Sequence, residues 1–179
     1  MKKTLCVLMA ICAVGISLVS CSKKADEGFK IVESETCDFT FQCPESWEIT
    51  HTNGMLSALN TQDISKANVT AHSFFHGLEK NPSSPEYWET YKTQLSNTFG
   101  DITVNDLKEK ELGGQKVVHS DYVVSIADEI FYCETILVVY DSKVYTLTLT
   151  QGAKNDANSE NYNDHSDEFE EIIKTFRIR

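Results

Sequence analysis

Ile130-Phe131-Tyr132-Cys133-Glu134-Thr135-Ile136-Leu137-Val138-Val139-Tyr140 is the most apolar strand-like stretch of this chain, and its reading decides the fold class. It is rich in β-branched and aromatic residues, which fit a pleated surface better than a helix. Alternation puts Phe131, Cys133, Leu137 and Val139 on one side and Ile130, Tyr132, Ile136, Val138 and Tyr140 on the other. Both sides are apolar, so the spacing predicts a central strand covered on both faces.

The flanks extend this strand into a meander. Upstream, Ile102 to Leu112 reads as a mixed strand, Gly113-Gly114 as a hairpin turn and Gln115 to Ile126 as a second β-rich run, with a turn at Ala127-Asp128-Glu129. Downstream, Asp141-Ser142-Lys143 turns the chain into Val144 to Thr150, where Val144, Thr146, Thr148 and Thr150 alternate with Tyr145, Leu147 and Leu149. Earlier strands are expected at Phe29 to Glu33, Cys37 to Cys43, Met55 to Asn60 and Asn68 to Phe75, with Pro44 ending the second before Trp47.

Two helices frame the meander. Ser84 as N-cap with Pro85 at the first helical position, or Ser83 with Glu86 as a capping box, starts one. Trp88, Tyr91, Leu95 and Phe99 then share one helical face, which packs on the sheet, and Gly100 suits the C-terminal stop. The last helix carries Phe169, Ile172, Ile173 and Phe176 on its apolar face. Between them, Gly152 to Asn163 is a polar loop.

The N-terminus has a different character. Lys2 and Lys3 precede an apolar run from Leu5 to Val19 that ends in Leu18-Val19-Ser20-Cys21. A basic start, a short apolar run and small residues before a cysteine form a bacterial lipobox, cut before the cysteine whose sulfur then carries lipid. Residues 1–20 are thus expected to be a signal peptide, 21–28 a lipidated tether and 29–179 one domain. Lipidated Cys21 would hold the domain on the extracytoplasmic face of a bacterial cell membrane or outer membrane.

Charge narrows the partners. The chain of 179 residues has 16 basic and 27 acidic residues, a formal charge of −11. Loss of Lys2 and Lys3 leaves 14 basic against the same 27 acidic, a charge of −13 on 159 residues. Such a domain lacks the basic footprint of nucleic-acid binding and is repelled by anionic lipid, so attachment must come from acyl chains.

Of six cysteines, Cys6 and Cys12 leave with the signal and Cys21 carries lipid. Cys37, Cys43 and Cys133 remain, an odd set that permits one internal bond at most. On a continuous strand Cys37 and Cys43 stand about 20 Å apart, beyond the ~7 Å reach of a bridge. Cys133 could face Cys37 or Cys43 in an oxidising compartment, or all three could be buried thiols.

Chemistry-bearing motifs are sparse. His72 and His76 bracket Phe74 on one strand face, and His119 and Asp121 share another, but a zinc or copper site needs three or four converging ligands. Asp156, Asn158, Glu160, Asp164 and Asp167 match positions 1, 3, 5, 9 and 12 of a calcium loop, although Asn161 replaces the turn glycine. A solvated acidic loop that caps the final helix is the competing reading. No GxSxG, HExxH, glycine-rich phosphate loop, CxxC or Cys-His signature occurs.

Phe39-Thr-Phe-Gln-Cys-Pro-Glu-Ser-Trp47, the mid-chain helix, the Gly113-Gly114 hairpin with its meander, Val144-Tyr-Thr-Leu-Thr148 and Phe169-Glu-Glu-Ile-Ile-Lys-Thr-Phe176 together resemble the PsbP family. The resemblance spans nearly the whole mature chain and rests on core and turn residues. It implies an α+β fold, an antiparallel sheet with helices packed on both faces, and transfers no catalytic residue. The expectation for function is a non-enzymatic, lipid-anchored binding or assembly module whose partner is another envelope protein. The alternatives are a calcium- or metal-binding lipoprotein using the loop at 156–167, and a hydrolase with a convergent site.

Overall fold

A computed structural model describes residues 24–75, 85–100, 102–112, 115–126, 128–155 and 160–179. The signal segment with Cys21, and also His76, Ser83, Ser84, Gly113, Gly114, Asp156 and Asn158, lie outside the described residues.

The chain runs β1 (Phe29–Val32), β2 (Phe39–Pro44), β3 (Glu48–Thr52), β4 (Met55–Leu59), β5 (Asn68–Phe75), α1 (Pro85–Phe99), β6 (Ile102–Leu112), β7 (Gln115–Ile126), β8 (Glu129–Tyr140), β9 (Lys143–Gly152), α2 (Ser166–Thr175) and β10 (Arg177–Ile178). Seven strands form one antiparallel sheet in the order β3-β4-β5-β9-β8-β7-β6. β8 lies inside this sheet between β7 and β9, as its two apolar sides demand. The strands β1, β2 and β10 form a second, three-stranded antiparallel sheet.

Turn chemistry sets the registers. Asn53 and Gly54, at φ 46° and 79°, make the two-residue turn between β3 and β4, and Asp141 and Ser142, at 47° and 62°, make the turn between β8 and β9. Two positive-φ residues match the twist of the flanking strands. Gly100, at φ 85°, closes α1 with its N–H donated to Ser96 O at 2.9 Å.

The faces of the main sheet are covered differently. The front face carries Val117, Ile136, Val138, Tyr145, Leu147 and Leu149, packed with Phe169 and Ile172 of α2 and with Val32, Phe39, Phe41 and Cys43 of the small sheet. Phe39, Phe41 and Phe169 are almost completely buried, and each such side chain contributes on the order of 2–3 kcal/mol. The back face carries Val118, Leu137 and Val144 beneath Tyr87 and Trp88 of α1, with Tyr122, Val124 and Cys133 beside Leu95. Trp88, Tyr91 and Leu95 of the α1 stripe thus pack on the sheet as their periodicity predicts.

One expectation is corrected, and of the two readings of the cysteines the structure holds the buried thiols. Each face does hold one helix, but three strands share the front with α2, so the fold is an α+β architecture dominated by sheet rather than a plain helix-sheet-helix sandwich. No disulfide joins Cys133 to Cys37 or Cys43: all three are buried free thiols. Cys133 packs on the back face and the other two in the front core, so the sheet stands between them. Burial pushes the Cys43 and Cys133 thiols up to about 11.

Candidate functional site

The register of β7 and β8 builds an unusual polar cluster on the front face. Alternation places His119, Asp121 and Val123 on the side of Val117, and Tyr132 and Glu134 on the side of Ile136. Asp121 pairs directly with Glu134, and Val123 with Tyr132. Like charges opposite one another destabilise a sheet. Glu134 is only 6% exposed, so water does little to relieve the pair.

Besides a hydrogen bond between Tyr132 and Glu134, His119 supplies partial compensation. Its Nε2 lies 3.2 Å from Glu134 Oε2, with both side chains buried, but its buried Nδ1 has no hydrogen-bond partner. Burial, then Glu134 and Asp121, and also Asp164, push the Tyr132 phenol well above its ordinary range.

A cavity of about 420 Å³ opens beside this cluster, walled by Val123, Ile130, Tyr132 and Tyr162, with Asp164 and Lys154 among its lining. The β7–β8 hairpin tip stands next to it. Ile126 and Ile130 there are 40% and 56% exposed, and Asp128 and Glu129 between them are exposed acids. The arrangement offers aromatic walls, apolar surface and negative charge in one place.

A second polar cluster ties the 60–67 loop to the start of α2. Asp63 Oδ1 accepts from the Ser65 N–H at 2.9 Å and from the Ser65 hydroxyl. Its Oδ2 accepts from His165 Nε2 at 2.7 Å, Asn60 Nδ2 at 3.0 Å and Asn163 Nδ2 at 3.3 Å. Burial alone would raise this carboxyl, yet the hydrogen bonds from Ser65, His165 and Asn163 hold it down to about 2. Trp47 packs edge-on against His165 at 5.6 Å between ring centroids.

Ser65, His165 and Asp63 are a serine, a histidine and an aspartate, but they are wired for structure. In a hydrolytic triad the hydroxyl donates to the imidazole and the carboxylate orients the far nitrogen. Here both Ser65 and His165 spend their protons on Asp63.

The other candidates disperse. Asp164 Oδ1 accepts from Gln151 Nε2 at 2.8 Å and from the Ser166 N–H and hydroxyl at 3.0 and 2.8 Å, an Asx turn that leads the chain into α2. Glu160 and Asp167 are exposed, and among the described residues no three His, Cys, Asp or Glu side chains converge on a metal position. His72 sits on the back face, 2.9 Å from Thr146 Oγ1 and stacked on Phe74, and burial lowers its pKa. His119 is on the front, so the sheet separates the two.

One group escaped the sequence reading. Asp38, which precedes β2, pairs with Lys143 and accepts from the Tyr145 hydroxyl at 3.0 Å. Burial and then Asp38 push the Tyr145 phenol up to about 12. More than 100 residues separate these partners, and only the fold reveals them.

The elements and their order define a PsbP-like α+β fold. The chain superposes on cyanobacterial PsbP from Synechocystis with a TM-score of 0.58 at 13% identity, covering 90% of this chain and 99% of that one. It matches the Ran-binding protein Mog1p of Saccharomyces cerevisiae with a TM-score of 0.61 at 10% identity, over 84% and 95% of the two chains. LpqN of Mycobacterium tuberculosis, described as involved in cell envelope biogenesis, matches with a TM-score of 0.51 at 13% identity, over 78% and 82%. The chain spans about half the length, 49%, of a further structural match from Bacteroides thetaiotaomicron. No family model matches the chain, and no curated protein matches it by sequence.

Proposed function

We propose that this chain is a lipid-anchored, non-enzymatic binding module, held by acylated Cys21 on the outer side of a bacterial membrane, where it engages another envelope protein. The observation that carries the binding reading is the β7–β8 end, where exposed Ile130 lines a cavity with Val123, Tyr132 and Tyr162. Solitary exposed apolar residues are ordinary, but a contiguous apolar site bordered by charge is a recognition surface. The polar clusters point the same way: Asp63, His165 and Asp164 spend their hydrogen bonds on holding loops together. Among structural neighbours, one is a Ran-binding protein and another takes part in envelope biogenesis, so binding roles are known on this fold.

The anchor rests on Leu18-Val19-Ser20-Cys21 and is tested first. Cys21→Ser leaves a longer, unacylated precursor, seen by mass spectrometry of the membrane fraction. A mature N-terminus other than acylated Cys21 overturns it. Binding is tested by recovery of the same protein from crosslinked cells by the wild-type chain, and not by one that carries Ile130→Ser.

A further inference from the structure

We propose that the β7–β8 end of the main sheet docks a basic, apolar-flanked segment of a partner protein, one lysine or arginine of which enters the cavity between Tyr132 and Tyr162. This rests on the binding reading above and assigns it a surface and a partner chemistry.

Charge complementarity selects the occupant. Asp164 lines the cavity, Asp121 and Glu134 lie on the same sheet face next to Val123 and Tyr132 of its wall, and Asp128 and Glu129 stand at the hairpin tip. Against them Lys154 is the one cation among the described residues that line the cavity. An anionic ligand, a lipid headgroup included, meets net repulsion there.

The cavity walls fit the same occupant. Cations bind over the faces of tyrosines, and arginine combines that contact with a planar fork for carboxylates. The long stem of a lysine or arginine buries against apolar surface while its head stays with polar groups, and Val123 and Ile130 supply that surface. An apolar neighbour in the partner would cover Ile130, which the fold leaves 56% exposed at the cavity.

The interior of the site argues for a ligand rather than a relic of packing. Local rules of strand pairing are broken where Asp121 faces Glu134. Proteins tolerate such violations chiefly at functional positions. An incoming cation adds attraction from both neighbouring carboxylates, which makes docking more favourable than the exposed area alone implies.

Site-specific photocrosslinking of the full chain in cells tests this. The photoreactive residue replaces Ile130 in one strain and Tyr140 in another; Tyr140 is half exposed at the far end of β8, about 33 Å away. The expected result is an adduct at 130, mapped by mass spectrometry to a partner segment with lysine or arginine between apolar residues.

The double variant Asp121→Asn/Glu129→Gln should lower its yield about fivefold or more, while the distant pair Glu45→Gln/Glu48→Gln leaves it within about twofold. Melting curves verify that both variants fold.

An adduct at 140 alone overturns the docking site but leaves the binding module standing. An adduct at 130 with an acidic segment or with lipid overturns the partner chemistry. Equal losses in the two charge variants overturn the site in favour of diffuse attraction. Adducts at neither position overturn both readings.

Discussion

Two buried histidine–carboxylate pairs lie on the front of the same sheet and are built to different standards. Asp63 and His165 are 102 residues apart, and their pairing closes two loops over the end of the sheet. The Asp63 carboxylate is fully engaged, with donors from Ser65, Asn60, Asn163 and His165. His119 and Glu134 are cross-strand neighbours in a ladder that backbone hydrogen bonds already hold. Their carboxylate faces a second carboxylate. Each histidine keeps a buried Nδ1 without a hydrogen bond, but that of His165 lies 3.3 Å from Glu168 Oε1. A pair that spans distant segments works as a clasp, whereas a pair within a fixed ladder, set against a second carboxylate, adds little to stability and leaves room for a cationic ligand.

The largest expected effect is on the clasp. His165→Ala leaves Asp63 buried without its histidine and removes the ring under Trp47, at a cost of about 3 kcal/mol. For a domain of this size that lowers the melting temperature by roughly 6–12 °C. A change below ~1 kcal/mol in thermal or urea unfolding would break the distinction between the two pairs.

Acid should find the clasp next. Folding holds Asp63 at about 2, below its ordinary 3.8, so its ionised form is stabilised by the native state. The contribution is fully present above the unfolded value and is lost as pH falls through the folded one. Wild type therefore loses about 2 kcal/mol from this group between roughly pH 5 and pH 2. Asp63→Asn lacks that increment at neutral pH and has a flatter stability profile across the window, measured by urea unfolding at stepped pH. Parallel profiles for the two proteins would show that Asp63 is not the titrating clasp.

Much of the fold was legible because it follows from local periodicity. The two apolar sides of β8, Pro85 at the start of α1, Gly100 at its end and the Asp141-Ser142 turn all appear where the residues predict them. β3 was not read because all five of its residues are exposed and show no alternation, although Asn53-Gly54 is a strong hairpin signal. β10 has two residues, too few for any pattern. The separation of β1, β2 and β10 into their own sheet depends on which edge β2 pairs with, and periodicity is silent on partners. The site divides likewise. That His119 and Asp121 share a face follows from alternation, but the opposition of Asp121 and Glu134 depends on the register of β7 on β8. The Asp63–His165 and Asp38–Lys143–Tyr145 groups join loops and strands far apart in sequence, so they emerge only from the folded chain.

The smallest effect is the sharpest test of the comparison. Glu134→Gln makes the same acid-to-amide change as Asp63→Asn, at a carboxylate that is at least as buried. The amide oxygen still accepts from His119 Nε2, so the hydrogen bond at 3.2 Å survives. What disappears is the charge that opposes Asp121, a repulsion worth about 0.2–1 kcal/mol. Stability should therefore stay level or rise by about 0.5 kcal/mol, where Asp63→Asn loses about 2. The proposed docking of a basic segment should weaken all the same, because the cavity beside Tyr132 has lost part of the field that draws a cation. A gain in folding joined to a loss in crosslinking at position 130 separates the two pairs by role. If Glu134→Gln instead destabilised the fold by 2 kcal/mol or so, Glu134 would be a second clasp and the contrast between the pairs would fail.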